Sequence, residues 1–394
     1  MFYFDQRYNM KVHKAYRYRI YPTYKQQEQF KHHFGCARWI YNYFLERKTK
    51  QYKESKKSDS FLQMNKHLTE LKKQEKYQWL NNVSRQSLGN SLANLDTAFS
   101  NFYNKRAEYP KFKNKYSKQT FKIGSPICSI RGEFIHLPQI GNIRCDFYNL
   151  PKEYKLFSIT ISKTPTNKYF ASINIEQEIP DSKIDPTKPE IGIDFGLKTF
   201  ITCSNGVKIE HPLPLRKLLR KLKRFSRRVS RRKLGSKRRE VARRKLALLH
   251  ERISNHRLDF LHKLSRKMVS ENQAIYLEDL NLKGMMSRFG RGVCDSGWYE
   301  HSRQLDYKGQ WYGCYVGRID RFFASSKLCN KCKCINQALT LSDREWDCSC
   351  GAHHDRDVNA GLNILEYGRA DRNLRTGRVE VVDSLVELSK QGVS

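Results

Sequence analysis

Acidic residues are scarce in this chain: 39 Asp and Glu stand against 75 Lys and Arg in 394 residues, a formal net charge of +36. A compact fold with that surplus repels itself, so the shortage of acids calls for a polyanionic partner, and nucleic acid fits better than an anionic membrane surface. Long apolar runs are missing as well. No stretch approaches the roughly 20 apolar residues that a membrane-spanning helix needs, and the opening MFYFDQRYNMKVHK has no apolar signal-peptide core. The expected setting is the cytoplasm, on nucleoid DNA, with no membrane partner. The length allows two to four domains with a sizeable core.

Cysteine is thinly spread except in one place, where five of the 11 fall within residues 329–350. Cys329 and Cys332 are followed after 15 residues by Cys348 and Cys350. Two close thiolate pairs on tight turns, separated by a short hairpin, suit tetrahedral zinc better than disulfides. The second pair is C-x-C, which strains the turn and leaves open whether Cys334 or His353 replaces a ligand.

Upstream, residues 16–21 alternate Tyr, Arg, Tyr, Arg, Ile, Tyr up to Pro22 and predict a strand. Phe30, Phe34, Ala37, Tyr41 and Phe44 recur at helical spacing and predict a helix over 25–50. Leu68 with Leu71 marks a shorter helix, and Leu88, Leu92, Leu95, Phe99 and Phe102 mark another. Short alternating runs at 134–137, 143–147, 157–162 and 169–175 predict a small β-barrel or sandwich that takes the 16–21 strand as partner. The helices are then an insertion, and the linker 180–189 a domain boundary.

Beyond the linker, Ile191, Gly192, Ile193 and Asp194 predict a short apolar strand ending in an acid, with 198–203 as its hairpin partner. Ile275, Tyr276, Leu277 and Glu278 predict a second such strand. With a third acid at Asp357, where HDRDVNAGLNIL opens a helix, these suit a shared site for hard divalent cations, which prefer anionic oxygen. Asp355 and Asp357 diverge by about 200° on a helix. Asp357 shares a face with the small residues Ala360 and Gly361, whereas Asp355 suits a helix cap. Since the Asp355 face also carries Val358 and Leu362, spacing favours Asp357 only modestly.

Between the acid-bearing strands, residues 216–245 hold 17 Lys or Arg and one acid. Leu215, Leu218, Leu222, Phe225 and Val229 keep an apolar stripe, so the helix packs by one side and offers phosphate-binding charge, including Arg227, Arg228, Arg231 and Arg232, on the rest. Gly235 and Ser236 break it into two antiparallel helices. Residues 285–297 read as a glycine-rich loop near the acids, either a lid or a passive connector.

Taken in order, RYRIYPTYKQQEQFKHHFGCARWIYNYFL, RAEYPKFKNK, GIDFGLKTFIT, IYLEDLNL, GWYEHSRQLDYKGQWYG, SSKLCNKCK, REWDCSCG and HDRDVNAGLNIL resemble the blocks of the transposon-associated TnpB (OrfB) family, compact relatives of type V CRISPR effectors. The resemblance covers nearly the whole chain, from about residue 15 to residue 364. It implies a multidomain α+β protein in which a small β-barrel wedge domain (1–22 and 119–180) carries an inserted helical recognition lobe (23–118). A RuvC/RNase H-like α/β nuclease domain (181–324 and 355–366) follows, with an inserted zinc ribbon that binds target nucleic acid (325–354) and a loosely ordered tail (367–394). It implies catalysis by Asp194, Glu278 and Asp357 with two Mg²⁺ ions, and one structural Zn²⁺ on Cys329, Cys332, Cys348 and Cys350. It further implies a guide RNA and cleavage of double-stranded target DNA beside a short motif, with no protein oligomer required. Tyr52, Arg85, Gln86 and Asn90 correspond to positions where the family contacts duplex DNA. The residues alone support the basic surface and the metal site, not the guide. An unguided RuvC-like nuclease or transposase and a noncatalytic zinc-ribbon DNA-binding protein are the alternatives.

Overall fold

Thr23 starts the first long helix, α1 (Tyr24–Ser55), through a reciprocal cap: its hydroxyl accepts from the Gln26 N–H, and the Gln26 side chain accepts from the Thr23 N–H. The computed structural model describes residues 9–280, 297–340 and 342–375, without the side chains of 213–217 and 375. The expected loop at 285–297 falls almost wholly outside the described residues, as do the Leu215 side chain of the expected stripe and positions 376–394 of the expected tail. The chain divides into two compact units, one of residues 9–179 and one beginning at Pro180.

In the first unit, β1 (Asn9–Tyr21) sits inside a seven-stranded sheet with β2 (Gln119–Gly124), β3 (Ser129–Arg131), β4 (Phe134–Leu137), β5 (Gly141–Cys145), β6 (Lys155–Lys163) and β7 (Tyr169–Pro180), in the order β2-β6-β7-β1-β5-β4-β3. The N-terminal strand thus completes a sheet whose other members follow the helical insertion, with Ile20 opposite Cys145. The strands expected to form a small β-barrel or sandwich make one sheet, whose end strands β2 and β3 do not pair with each other among the described residues. It still wraps one core, in which Ile123 of β2 and Ile135 of β4 join Tyr18, Ile20, Ile159 and Ile173. Helix α1 serves two cores. Phe30 and Phe34 cover the sheet, whereas Ile40, Phe44 and Leu45 pack with α2 (Phe61–Leu71) and α3 (Arg85–Tyr103) through Met64, Leu68, Leu88, Leu92 and Leu95. Each such side chain contributes about 1.5–3 kcal/mol of burial.

The second unit is built on a five-stranded sheet of order β10-β9-β8-β11-β12: β8 (Glu190–Phe195), β9 (Thr199–Cys203), β10 (Lys208–Glu210), β11 (Ala274–Glu278) and β12 (Tyr315–Ile319). The first three form an antiparallel meander, while β11 runs parallel to β8 and β12 parallel to β11. Because side chains alternate along a strand, Ile191, Ile193, Ile275 and Leu277 enter one core with Leu261 and Met268 of α5 (Lys237–Glu271) and Leu305 of α6 (Trp298–Tyr312). Ala274 and Tyr276 enter another, with Ile364 of α7 (Arg356–Arg375). Helix α7 therefore covers the opposite face from α5 and α6. It lies so close that a methyl group at Gly192 would run into the Gly361 carbonyl, and one at Gly368 into the Tyr276 ring.

The expected tail from 367 needs correction, because α7 continues to Arg375. Its polar residues are used there: Arg369 and Arg372 both donate to the Glu190 carboxylate, at 2.5 and 3.2 Å, and Ala370 is buried. No described helix is long and apolar enough to cross a membrane.

Candidate functional site

The alternation that sends Ile191 and Ile193 to one core sends Gly192 and Asp194 to the α7 side, and on β11 it sends Tyr276 and Glu278 the same way. Parallel pairing sets Leu277 beside Ile193, so Asp194 and Glu278 fall side by side one residue further on. Asp357, in the first turn of α7, supplies the third carboxylate from above the sheet. Burial, then the charges of Glu278 and Asp357, push the Asp194 pKa up to about 8, with Arg356 opposing. Burial also raises the pKa of Glu278, against a hydrogen bond donated by the Ser325 hydroxyl. Asp194 and Glu278 are both pushed toward the neutral form, so a cation beside them would favour their ionised state. An all-carboxylate donor set of this kind fits hard divalent ions such as Mg²⁺.

Asp355 does something else. Its Oδ1 accepts from the backbone N–H groups of Asp357 (3.1 Å) and Val358 (3.0 Å), capping α7, and its Oδ2 accepts from Lys208 Nζ at 2.5 Å. Asp357 is instead met by Arg344 Nη1, at 3.2 Å, and keeps 15% of its side chain exposed.

The thiols of Cys329, Cys332, Cys348 and Cys350 all lie within 4.8 Å of one another. The sulfur separations of 3.8 Å (Cys329 to Cys350) and 3.5 Å (Cys332 to Cys348) match the roughly 3.8 Å edge of a tetrahedron with Zn–S bonds of about 2.3 Å, so the residues fit zinc. The C-x-C pair is accommodated by a turn at Gly351, whose φ of 82° suits glycine. Cys334 contributes backbone, its carbonyl accepting from the Cys329 N–H at 2.9 Å, and its side chain is exposed. His353 is exposed and pairs with Asp347 at 2.8 Å. The histidine at the cluster is His354, whose Nε2 is 3.0 Å from Cys329 Sγ, where an N–H can donate to the thiolate.

Other expected residues are scattered. Arg220, Lys223, Arg224, Arg227, Arg228 and Arg231 line an open groove along α4 (Leu213–Ser230), opposite Leu218, Leu222 and Phe225. Arg232 also donates to the Arg238 carbonyl at 3.3 Å. Tyr52 is 52% exposed on α1, and Arg85 donates to Thr69 Oγ1 at 3.2 Å. Gln86 and Asn90 fasten α3 to the edge of β2: Gln86 Oε1 accepts from the Gly124 N–H at 2.6 Å, and Asn90 Nδ2 donates to the Lys122 carbonyl at 3.0 Å. Ser325, Arg344 and His354 form no motif of their own in the sequence. Their only signal was adjacency to the cysteine and aspartate motifs.

Comparison with known proteins bears on this arrangement. A Streptomyces pristinaespiralis protein named "Putative RNA-guided DNA endonuclease" is 38% identical over 365 residues, spanning 91% of this chain and 90% of that one. The chain belongs to the TnpB (OrfB) family. A second relative, "Putative RNA-guided DNA endonuclease InsQ" of Escherichia coli K12, is 28% identical over 92% of this chain and 94% of its own. Residues 172–288 match the OrfB IS605 family, described as "Probable transposase", 10–57 match its helix-turn-helix domain, and 298–364 match the Cas12f1-like TNB domain. In fold, this TnpB-family chain resembles the protein in the cryo-EM structure of a Cas12f1-sgRNA-target DNA complex, with a TM-score of 0.58 at 12% identity over 90% of this chain and 99% of that one.

Proposed function

We propose that the chain is an RNA-guided DNA endonuclease, cutting target DNA beside a short motif with Asp194, Glu278 and Asp357 holding two Mg²⁺ ions and zinc held by the four cysteines. The observation that carries this reading is the convergence of three carboxylates from β8, β11 and α7 on one side of the sheet. The order β10-β9-β8-β11-β12, with α7 on the acid-bearing face, supports a RuvC/RNase H-like nuclease domain. The sheet of the first unit and its inserted helices α1–α3 are read as wedge domain and recognition lobe. The names of the two relatives support guide RNA and target DNA as partners.

Bound divalent ions would stabilise charge on the phosphate undergoing attack and lower the pKa of a bound water. The chain's own residues set up the site: β8 and β11 present their carboxylates at adjacent positions, the Asp355 cap orients the helix bearing Asp357, and Arg344 and Arg356 offset part of the charge. The groove along α4 offers arginines to a phosphate backbone without reading bases.

The test is cleavage of matching double-stranded DNA, in Mg²⁺, by protein purified with its bound RNA. Cutting should occur beside a fixed motif, depend on the RNA and be abolished by Asp194→Asn. Equal cutting by RNA-free protein would assign an unguided nuclease instead. Binding with no metal-dependent cleavage would leave a noncatalytic DNA-binding protein.

A further inference from the structure

Glu278 takes a hydrogen bond from a residue outside its own strand. The Ser325 hydroxyl donates to Glu278 Oε1, and the segment that carries Ser325 is fastened on both sides. Upstream, Arg321 donates to the Asp279 carbonyl at 3.1 Å and its carboxylate at 2.6 Å, tying the loop after β12 to the end of β11. Downstream, Asn363 Nδ2 donates to the Ser325 carbonyl at 2.8 Å and to the Leu328 carbonyl at 2.7 Å. One turn earlier on α7, Asn359 Nδ2 also donates to the Leu328 carbonyl, at 2.7 Å, and its Oδ1 accepts from the Asn330 N–H at 3.0 Å. Both asparagines are 1% exposed, so leaving either amide unpaired would cost about 1–3 kcal/mol.

Leu328 and Asn330 flank Cys329, the most buried of the four thiols. The segment that meets Glu278 at Ser325 is therefore the one that enters the zinc knuckle four residues later. The knuckle reaches Asp357 as well. Arg344, on its hairpin, pairs with that carboxylate, and the Arg356 N–H donates to the Arg344 carbonyl at 2.8 Å. His354 faces Cys329 and directly precedes the capping Asp355. Two of the three carboxylates, contributed by different elements, are thus referenced to one small cysteine-bound module.

We propose that Ser325 is a positioning residue that orients the Glu278 carboxylate toward divalent cations, and that Asn359 and Asn363 of α7 hold in place the segment that carries Ser325 into the zinc knuckle. The proposal rests on the reading of Asp194, Glu278 and Asp357 as a divalent-cation site. Ser325 touches neither substrate nor cation in this role. It fixes which way a ligand points, as hydrogen-bonding partners of metal ligands generally do.

The test is a Mn²⁺ titration, followed by electron paramagnetic resonance, of full-length protein stripped of nucleic acid and saturated with zinc. Zinc content and circular dichroism are measured on the same samples. Ser325→Ala should bind Mn²⁺ about 10-fold more weakly while retaining one zinc per chain and a wild-type spectrum. Ser325→Thr, which keeps the hydroxyl, should restore binding, and Ser326→Ala should bind as wild type. Wild-type affinity in Ser325→Ala would overturn the proposal. So would loss of zinc or folded structure in that variant, which would make the hydroxyl a fold determinant instead. Mn²⁺ binding by the unsubstituted protein that Asp194→Asn does not reduce would overturn the cation-site reading itself, and the proposal with it.

Discussion

Asp355 and Asp357 stand two residues apart and do different work. One carboxylate is consumed by two backbone N–H groups and Lys208, while the other faces Asp194 and Arg344. Asp357→Ala should abolish cleavage and leave nucleic-acid binding intact. Asp355→Ala should still cut but lose about 1 kcal/mol, the worth of a helix cap, in thermal unfolding. The reverse pattern would exchange their roles. His301 is a second residue whose surroundings decide its behaviour. It is fully buried, neither ring nitrogen has a partner among the described residues, and it stands edge-on to Phe195 and Phe200. Burial, aided by Lys308, holds its pKa down to about 3. The folded chain therefore keeps this imidazole neutral while the unfolded chain protonates it below about pH 6.5, so its share of stability is present above that pH and is lost on acidification. Replacing it by His301→Phe should raise stability at pH 5 by about 2 kcal/mol more than at pH 8, at about 1.36 kcal/mol per pH unit below 6.5. Equal effects at the two pH values would show that His301 does not set this dependence.

At the scale of elements, the knuckle and α7 each depend on one close fit. Among the described residues the knuckle packs Leu339, Trp346 and Ala352 around its cysteines, a core so small that a bound zinc ion would supply much of its stability. Cys329→Ser should release about one zinc per chain and lower the melting temperature. Metal analysis that finds no zinc in freshly purified wild-type protein would refute that assignment. The contact of α7 with β8 has no room for a side chain at Gly192. Gly192→Ala should then cost about 1–3 kcal/mol by overpacking, read by denaturant unfolding, and should displace the helix that bears Asp357.

For the molecule as a whole, the surplus of positive charge should appear as salt dependence. On the proposed reading, a plot of log affinity for duplex DNA against log salt should be steep. Changing Arg227, Arg228 and Arg231 together to Gln should flatten its slope by about 2–3, close to one unit for each phosphate that is no longer neutralised. An unchanged slope would remove the α4 groove from the nucleic-acid path. The basic stretch and its apolar stripe were legible without a structure, because periodicity and charge are local properties of the chain. The groove's edges were not, because they depend on how Arg239 closes the end of α4, donating to the Val229 and Arg232 carbonyls at 2.9 and 2.6 Å.

Local residue patterns were enough to set out the succession of elements and the chemistry each one carries. Alternation marked β1, short apolar runs ending in an acid marked β8 and β11, helical spacing marked α1 and α3, and cysteine spacing marked the knuckle. Each of these signals comes from residues within about two turns or one hairpin of each other. Short strands such as β2, β3, β10 and β12 escaped, since three to six residues with polar members carry too little periodicity to stand out. Which of these pieces meet in space was settled by folding. It set Asp194 beside Glu278 by parallel pairing, made Asp355 the cap while turning Asp357 toward Asp194, turned Gln86 and Asn90 toward an edge strand, and brought Ser325 to Glu278. Those outcomes depend on residues far apart in the chain meeting in space, which no local pattern encodes, and on buried polar groups finding the partners that their burial requires.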